Sequence, residues 1–318
     1  MTKIGKDLAL AKQLLQSGEL VAIPTETVYG LAANGLNPEA VARIFEAKNR
    51  PSFNPLILHV ASVEQAKALT SDFPPKAQLL ADTFWPGPLT IVLPRHPSVP
   101  DIATGGLDTV ALRVPAHSLT LELLRSLPFP LAAPSANPSG YISPTQPLHV
   151  VEQLEEKVAY ILDGGPAAVG VESTIVMVKG DEVYLLRQGG ISEETLLTVV
   201  GHIAHAPDAH SQPLAPGMLL NHYAPGKRVL LGNLSLLYGE HYHQRVGVLA
   251  FQAPLPEVPL AQQRILSPKG DLAEAAANVF AYLRELDKLD IDLIIAEPVP
   301  HTGIGRAVND RLQRASEK

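Results

Sequence analysis

Residues 22–60 read AIPTETVYGLAANGLNPEAVARIFEAKNRPSFNPLILHV, a strand, a helix and a second strand strung with polar residues that no core requires. The apolar run 20–23 has the length of a short buried strand. Pro24 interrupts it, leaving Thr25, Glu26 and Thr27 at its carboxyl end before Tyr29-Gly30. In α/β sheets that edge is where ligands bind. Asn37 is a good N-cap and Pro38 fits the first helical position, so a helix is predicted over 38–48. Val41, Ile44, Phe45 and Lys48 share one face at helical spacing, which sets the lysine where another core residue belongs. Either Lys48 neutralises the carboxyl end of the helix dipole and snorkels outward, or it finds an anion. Arg50 follows. Lys-x-Arg running into Pro51-Ser52-Phe53-Asn54-Pro55 puts two cations and an amide on a stiffened loop, suited to a polyanion such as a nucleoside triphosphate. Residues 56–60 are apolar on both faces and predict a buried strand with His59 inside it, either a satisfied core histidine or a ligand group.

The chain has 318 residues, 46% of them hydrophobic, which is enough for a full core and for two domains. No apolar run reaches the length of a membrane span, and the amino terminus, MTKIGKDLALAKQLL, lacks an apolar signal core; a cytoplasmic protein without a membrane partner is expected. The absence of cysteine excludes thiol nucleophiles, disulfides and cysteine-based metal sites. The formal charge is −7, with 14 Lys+Arg against 20 Asp+Glu in residues 1–200 and 11 against 12 beyond them. Tight sequence-independent binding to nucleic acid needs a clear basic excess, so a dedicated RNA- or DNA-binding module is disfavoured.

Upstream, residues 7–17 place Leu8, Ala11, Leu14 and Leu15 at helical spacing, and Gly18 closes that helix. Downstream, 62–69 and 75–84 read as helices over a sheet, 89–93 as a strand and 94–106 as a loop. The strand 109–114 alternates strictly, setting Thr109, Ala111 and Arg113 on one face against Val110, Leu112 and Val114. Arg113 therefore needs a partner, either an internal Asp or Glu or a substrate carboxylate. A helix over 119–126 and a strand over 130–133 lead into Pro134-Ser135-Ala136-Asn137-Pro138-Ser139-Gly140. Small residues there let a ligand approach the backbone, although the same loop in isolation is a turn. Ser143-Pro144-Thr145 opens the next helical region, 160–162 is a strand, and 173–178 with 183–187 is a hairpin ending in Arg187. So many strands and hairpins predict a twisted mixed parallel/antiparallel sheet with helices.

Residues 202–226 lose periodicity and read as a linker. His202, His205 and His210 lack companion ligands at fixed spacing and read as solvated linker residues. The segment LLNHYAP, 219–225, is apolar and aromatic and should pack onto something. Beyond it, strands at 228–231, 246–251 and 293–297 alternate with helices at 234–238, 272–286 and 305–314, a smaller C-terminal α/β Rossmann-like domain without a phosphate-binding glycine loop. The organisation is then 1–200, a linker or lid over 201–226, and 227–318.

PTETVYGLAANG, AKNRPSFNPLILHV, ALRVP, APSANPSG, VESTIV and LLRQGGIS together closely resemble the YrdC-type family of L-threonylcarbamoyladenylate synthases, over residues 10 to 195. Lys48-Asn49-Arg50 and Ser135-Ala136-Asn137 stand at that family's Lys-x-Arg and Ser-x-Asn signatures, and NHYAPG with the C-terminal domain resembles its two-domain form. The resemblance implies a YrdC-like catalytic fold and an enzyme that joins L-threonine, bicarbonate and ATP with Mg²⁺, releasing pyrophosphate, as the first step of t6A formation at position 37 of tRNA. It implies that Thr27, His59, Arg113, Ala133 and Ser173 bind L-threonine. It assigns Arg50, Asn54, Thr109, Ser135, Ser143, Arg187 and Tyr223 to ATP, with Asn137 of the Ser-x-Asn signature beside them. Lys48 and Arg50 are the residues expected to stabilise the triphosphate, and Tyr223 would make the linker a lid. Downstream threonylcarbamoyl-transfer proteins are the implied partners, with a weak direct tRNA contact at most. Glu26, Asp163, Glu172, solvent and bicarbonate all stand as acceptors of the amine proton, and the metal ligands are unassigned. The rival readings are a carbamoyl-phosphate-dependent carbamoyl-adenylate enzyme and a double-stranded-RNA-binding module.

Overall fold

The computed structural model describes residues 2–205, 215–216 and 223–317. Among these, the amino-terminal part forms one sheet from β1 (Lys3–Gly5), β2 (Val21–Ile23), β3 (Gly30–Asn34), β4 (Ile57–His59), β5 (Leu89–Pro94), β6 (Thr109–Arg113), β7 (Leu131–Ala132), β8 (Tyr160–Leu162), β9 (Thr174–Lys179), β10 (Glu182–Arg187) and β11 (Ala204–His205). Their spatial order is β1-β8-β2-β3-β7-β4-β6-β5-β9-β10-β11. The β4–β6 and β5–β9 pairs are parallel, whereas β2–β3, β3–β7, β4–β7, β5–β6 and β9–β10 are antiparallel, so the sheet is mixed.

Alternation divides the two faces of this sheet. On one, Leu31, Leu58, Leu112 and Val176 pack against Val41, Ile44 and Leu80 of helices Pro38–Lys48 and Pro75–Phe84. On the other, helices Leu8–Gln16 and Ser118–Ser126 cover only the end holding β2, β7 and β8, through Leu15, Leu123, Leu131 and Leu162. The rest of that face, carrying Ile57, Val92, Ala111 and Ile175, has no helix over it among the described residues and meets Ala215 of the linker instead. It is there that a cleft forms.

The helix Pro38–Lys48 starts as its sequence requires, with the Asn37 side chain accepting from the Glu39 and Ala40 amides and Pro38 in the first turn. Four strands were not read from the sequence. β3 is built of Gly, Leu, Ala and Asn, of low strand propensity, and exists because it pairs antiparallel with β2 and β7. β1, β11 and a three-residue strand of the second domain are too short to show a period. The loop expected over 94–106 also contains a short helix, Asp101–Thr104, and the region opened by Ser143 becomes helical only at Pro147–Leu154.

The second domain is a parallel sheet of β12 (Arg228–Leu231), β13 (Val246–Ala250), β14 (Gln263–Ile265) and β15 (Leu293–Ala296), ordered β12-β15-β13-β14. Helices Leu234–His241, Leu272–Asp287 and Gly305–Ser316 flank it. Leu272–Asp287 presents Ala276, Val279, Phe280 and Leu283 to Val28, Ile142 and Val171 of the first domain, one continuous apolar cluster. The approach is close enough to exclude a side chain at Gly170, where a Cβ would stand 2.3 Å from the Ala276 carbonyl oxygen. Among the described residues no helix is long and apolar enough to cross a membrane. Residue His210 and residues 219–222 of the aromatic linker segment lie outside the described residues.

Candidate functional site

The cleft is lined by Thr25, Thr27 and Val28 from the turn after β2, Gly30 at the start of β3, Arg50, then Ile57 and His59 of β4, Arg113 on β6, Ala133 to Ser135, Glu172 and Ser173, Arg187 at the end of β10, and Pro216 and Tyr223 of the linker. His59 and Arg113 are register partners on neighbouring strands, so both side chains leave the sheet on the open face.

Three arginines converge here, all buried. Arg50 donates through Nε to the Asn54 carbonyl (3.2 Å) and through Nη2 to that of Pro55 (2.9 Å). Arg187 grips the Ser173 carbonyl from Nη2 (2.8 Å) and Nε (3.2 Å) and the Pro216 carbonyl from Nη1 (2.9 Å). Neither forms an ion pair among the described residues. Burial holds Arg50 down to about 10, with Arg187 adding to the shift and Tyr223 opposing it. Arg113 donates from Nε to the Gly87 carbonyl (3.2 Å) and brings Nη2 to 2.7 Å from a Glu26 oxygen. The internal partner expected as one alternative for Arg113 is therefore present. His59 is pushed down to about 3, first by burial and then by Arg113, so its ring is neutral, and its Nδ1 has no partner among the described residues.

Of the other residues expected at the amino-acid end, the Thr27 hydroxyl is 2.8 Å from that of Thr25, the Ala133 amide donates to the Ile57 carbonyl (3.1 Å), and the Ser173 hydroxyl is 2.7 Å from that of Thr90. Of those expected at the nucleotide end, Ser135 lines the cleft, while Ser143 stands behind it and donates to Glu172 at 2.5 Å. Asn54 is buried with neither amide atom hydrogen-bonded among the described residues, and it does not itself line the cleft. Thr109 begins the strand that Arg113 ends, four residues away on the same face. Asn137 donates to the carbonyls of Pro138 (2.9 Å) and Tyr141 (2.8 Å), which stiffens its loop.

Lys48 is buried and does not snorkel outward, correcting that alternative. Its ammonium donates to the carbonyls of Ser135 and Asn137, so it bolts the Ser-x-Asn loop from behind and is not itself part of the cleft lining. Burial first, and then Arg50, hold its pKa well below the ordinary lysine value.

Two residues escaped the sequence reading. Arg311, on helix Gly305–Ser316 and fully buried, donates to Glu172 (2.8 Å) and to the Gln188 carbonyl (2.9 Å), and its guanidinium lies 4.9 Å from the Tyr223 ring centre. Burial opposes its charge, but Tyr223, Glu172 and Asp310 raise its pKa. Burial likewise opposes the charge of Glu172, whereas Arg311, Arg187 and Ser143 hold its carboxyl below the ordinary range. Arg284, on helix Leu272–Asp287, donates to the carbonyls of Ile142 and Ser143. Arg311 shares its helix stripe with Ala307, Val308 and Ala315, a signal of the same kind as Lys48. Tyr223 is buried at a positive φ of 67°, its ring stacked on Phe280 at 5.5 Å.

Among the described residues no three His, Asp or Glu side chains gather as a metal cage, and the one carboxylate lining the cleft, Glu172, is occupied by Ser143 and Arg311. The donor set therefore fits a cation that arrives already held by phosphate oxygens.

A family model described as "Telomere recombination", covering Sua5, YciO and YrdC, matches residues 13–189, and a second, described as "Threonylcarbamoyl-AMP synthase, C-terminal domain", matches residues 191–317. The chain is 42% identical to threonylcarbamoyl-AMP synthase of Pyrococcus abyssi over 97% of its own length and 94% of the relative's. It is also 42% identical to that of Bacillus subtilis, over 97% and 92%. The crystal structure of P. abyssi Sua5 complexed with L-threonine superposes with a TM-score of 0.91 at 40% identity, covering 99% of this chain and 97% of that one.

Proposed function

The chain belongs to the Sua5–YciO–YrdC family and carries the C-terminal domain of threonylcarbamoyl-AMP synthases, and from that premise we propose that it joins L-threonine, bicarbonate and ATP into L-threonylcarbamoyl-AMP with release of pyrophosphate. In this reading it acts in the cytoplasm as the first step of t6A37 modification of tRNA and hands its product to threonylcarbamoyl-transfer proteins. The observation that carries it is the pair of buried arginines, Arg50 and Arg187, hydrogen-bonded among the described residues only to neutral groups, in one cleft with Arg113. Burying cations without anions is unfavourable, and a triphosphate beside a carboxylate supplies the missing charge.

Arg113 grips the threonine carboxylate, with Thr27, neutral His59, Ala133 and Ser173 around the amino acid. Arg50, Asn54, Thr109, Ser135, Asn137, Ser143, Arg187 and Tyr223 take the nucleotide, Lys48 supporting them through its loop. The amine first becomes a carbamate. A carbamate oxygen then attacks the α-phosphorus of ATP as the bond to pyrophosphate breaks, and the arginines, fixed beforehand, meet the charge spreading onto the phosphate oxygens. A Mg²⁺ held by the triphosphate oxygens would supply further positive charge there, beside that of Arg50 and Arg187. Tyr223 covers the adenylate and helps to exclude water.

The test is pyrophosphate release from ATP and bicarbonate with L-threonine, with L-serine, or with carbamoyl phosphate in their place, in the wild type and in Arg113→Ala. Threonine-dependent release that drops about 100-fold in kcat/KM for the variant is expected. Release driven by carbamoyl phosphate alone would move the chain to carbamoyl-adenylate chemistry.

A further inference from the structure

We propose that Glu26 receives the α-ammonium group of the amino acid and takes the proton which that group must lose, an inference that rests on the threonine-dependent reaction above. Three carboxylates compete for this role, and their surroundings separate them. Glu172 has both oxygens engaged, one by the Ser143 hydroxyl (2.5 Å) and the other by Arg311 Nε (2.8 Å). Asp163 accepts from the Gly165 amide (3.0 Å). Glu26 is not itself a lining residue, but it lies between two that are, Thr25 and Thr27, and against a third, Arg113. It is 8% exposed, yet neither of its carboxylate oxygens has a hydrogen-bond partner among the described residues.

Its neighbour makes the arrangement informative. Arg113 Nη2 lies 2.7 Å from Glu26 Oε1, within ion-pair distance, but its N–H groups are not aligned on that oxygen, so this nitrogen too lacks a hydrogen bond. Arg113 is 3% exposed, and its Nε is tied to the Gly87 carbonyl. The main chain of Glu26 is pinned as well, its carbonyl accepting from the Val169 amide (2.7 Å). A carboxylate and a guanidinium held side by side, desolvated and poorly bonded, form a costly pair by themselves. An α-amino acid zwitterion is the complementary ligand. Its carboxylate takes the open N–H of Arg113, and its ammonium, one carbon away, takes the open oxygens of Glu26. His59, neutral beside them, brings no competing charge.

Bound in this way, the ammonium passes one proton to a Glu26 oxygen and becomes a neutral amine. Its lone pair forms the N–C bond to bicarbonate while a C–O bond of bicarbonate breaks. The departing hydroxyl leaves with a second amine proton as water, giving the carbamate, and Glu26 returns its proton to solvent.

The experiment compares calorimetric binding of L-threonine and (R)-3-hydroxybutyrate, which differ only in the amine, to the full chain without ATP or bicarbonate. It is run on the wild type, Glu26→Gln and Glu26→Asp, with pyrophosphate release measured in parallel. Loss of the amine should weaken binding by about 30-fold in the wild type and by no more than about 3-fold in Glu26→Gln. Turnover of Glu26→Gln should fall about 100-fold. Glu26→Asp, which keeps the charge, should keep the amine preference. An amine preference that survives in Glu26→Gln, or an equal loss for both ligands, would overturn the proposal and leave Glu26 as the partner of Arg113 only. Should Glu26→Gln fail to fold, a wild-type preference below about 3-fold overturns the proposal by itself. Wild-type protein that prefers the amine but releases no pyrophosphate would keep the ammonium receptor and remove the reaction instead.

Discussion

Single buried residues carry the clearest physical consequences. His59 is held near 3 and His149 near 4, in each case by burial first and a neighbouring arginine second, Arg113 for the one and Arg284 for the other. The sign follows from the unfolded chain, whose histidines take a proton below about 6.5. Folding leaves both rings neutral, so their contribution to stability is complete above that pH and is lost as pH falls toward the folded values. Between pH 7 and 5 each depressed histidine should remove about 2 kcal/mol. Urea unfolding at the two pH values checks this, with His59→Asn expected to lose about 2 kcal/mol less than the wild type; equal losses would contradict it. Lys48 acts through carbonyls. Lys48→Met strands two carbonyl oxygens, the buried one of Asn137 and the part-buried one of Ser135, so a stability loss of about 2–4 kcal/mol should accompany a raised KM for ATP. A variant with wild-type stability and reduced kcat would return the lysine to direct contact with phosphate.

At the scale of the element, the helix Pro38–Lys48 was legible to the residue, because Asn37, Pro38 and an apolar stripe at helical spacing are local signals that agree. The way it ends was not. Asn49 adopts the left-handed conformation, φ 49°, and its amide reaches back to the carbonyls of Phe45 and Glu46, turning the chain so that Arg50 enters the cleft. Asn tolerates that backbone and β-branched residues do not. Asn49→Val should therefore cost about 1–2 kcal/mol and misdirect Arg50, raising KM for ATP, whereas Asn49→Gly should restore both. Unfolding midpoints and ATP kinetics of the pair test this, since a valine variant with unchanged kinetics would separate the cap from the site. The sequence displayed Lys48, Arg50, Arg113 and the Ser135–Asn137 loop as polar residues in apolar or small-residue surroundings. Which of them face the cleft and which brace it depends on non-local pairing, β4 beside β6 and the loop over Lys48, and spacing alone does not encode that. The strand β3 stayed hidden for the same reason, its existence resting on partners and not on its own residues.

At the scale of the whole molecule, the second domain is part of the site without lining it. Arg311 and Arg284, its two large buried cations, reach into the first domain, where one holds Glu172 and the Tyr223 ring and the other the carbonyls of Ile142 and Ser143. Ser143 donates to Glu172, so both arginines brace the same small network at the end of the cleft where the proposed function places the nucleotide. The apolar cluster shared between Val28, Ile142 and Val171 and helix Leu272–Asp287 lies beside that buried network, where an unpaired charge is expensive. Arg311→Met leaves the Glu172 carboxylate buried opposite an apolar chain and should cost about 3–5 kcal/mol in urea unfolding. Adding Glu172→Gln removes the orphaned charge, so the double variant should recover most of that loss. ATP binding should not recover with it, because Ser143 loses its charged acceptor and Tyr223 its cationic neighbour, and KM for ATP should stay raised in both variants. A double variant that regains stability and nucleotide affinity together would reduce the second domain to a scaffold. Stability regained without affinity would mean that nucleotide binding needs Arg311 itself, held between Glu172 and the Tyr223 ring.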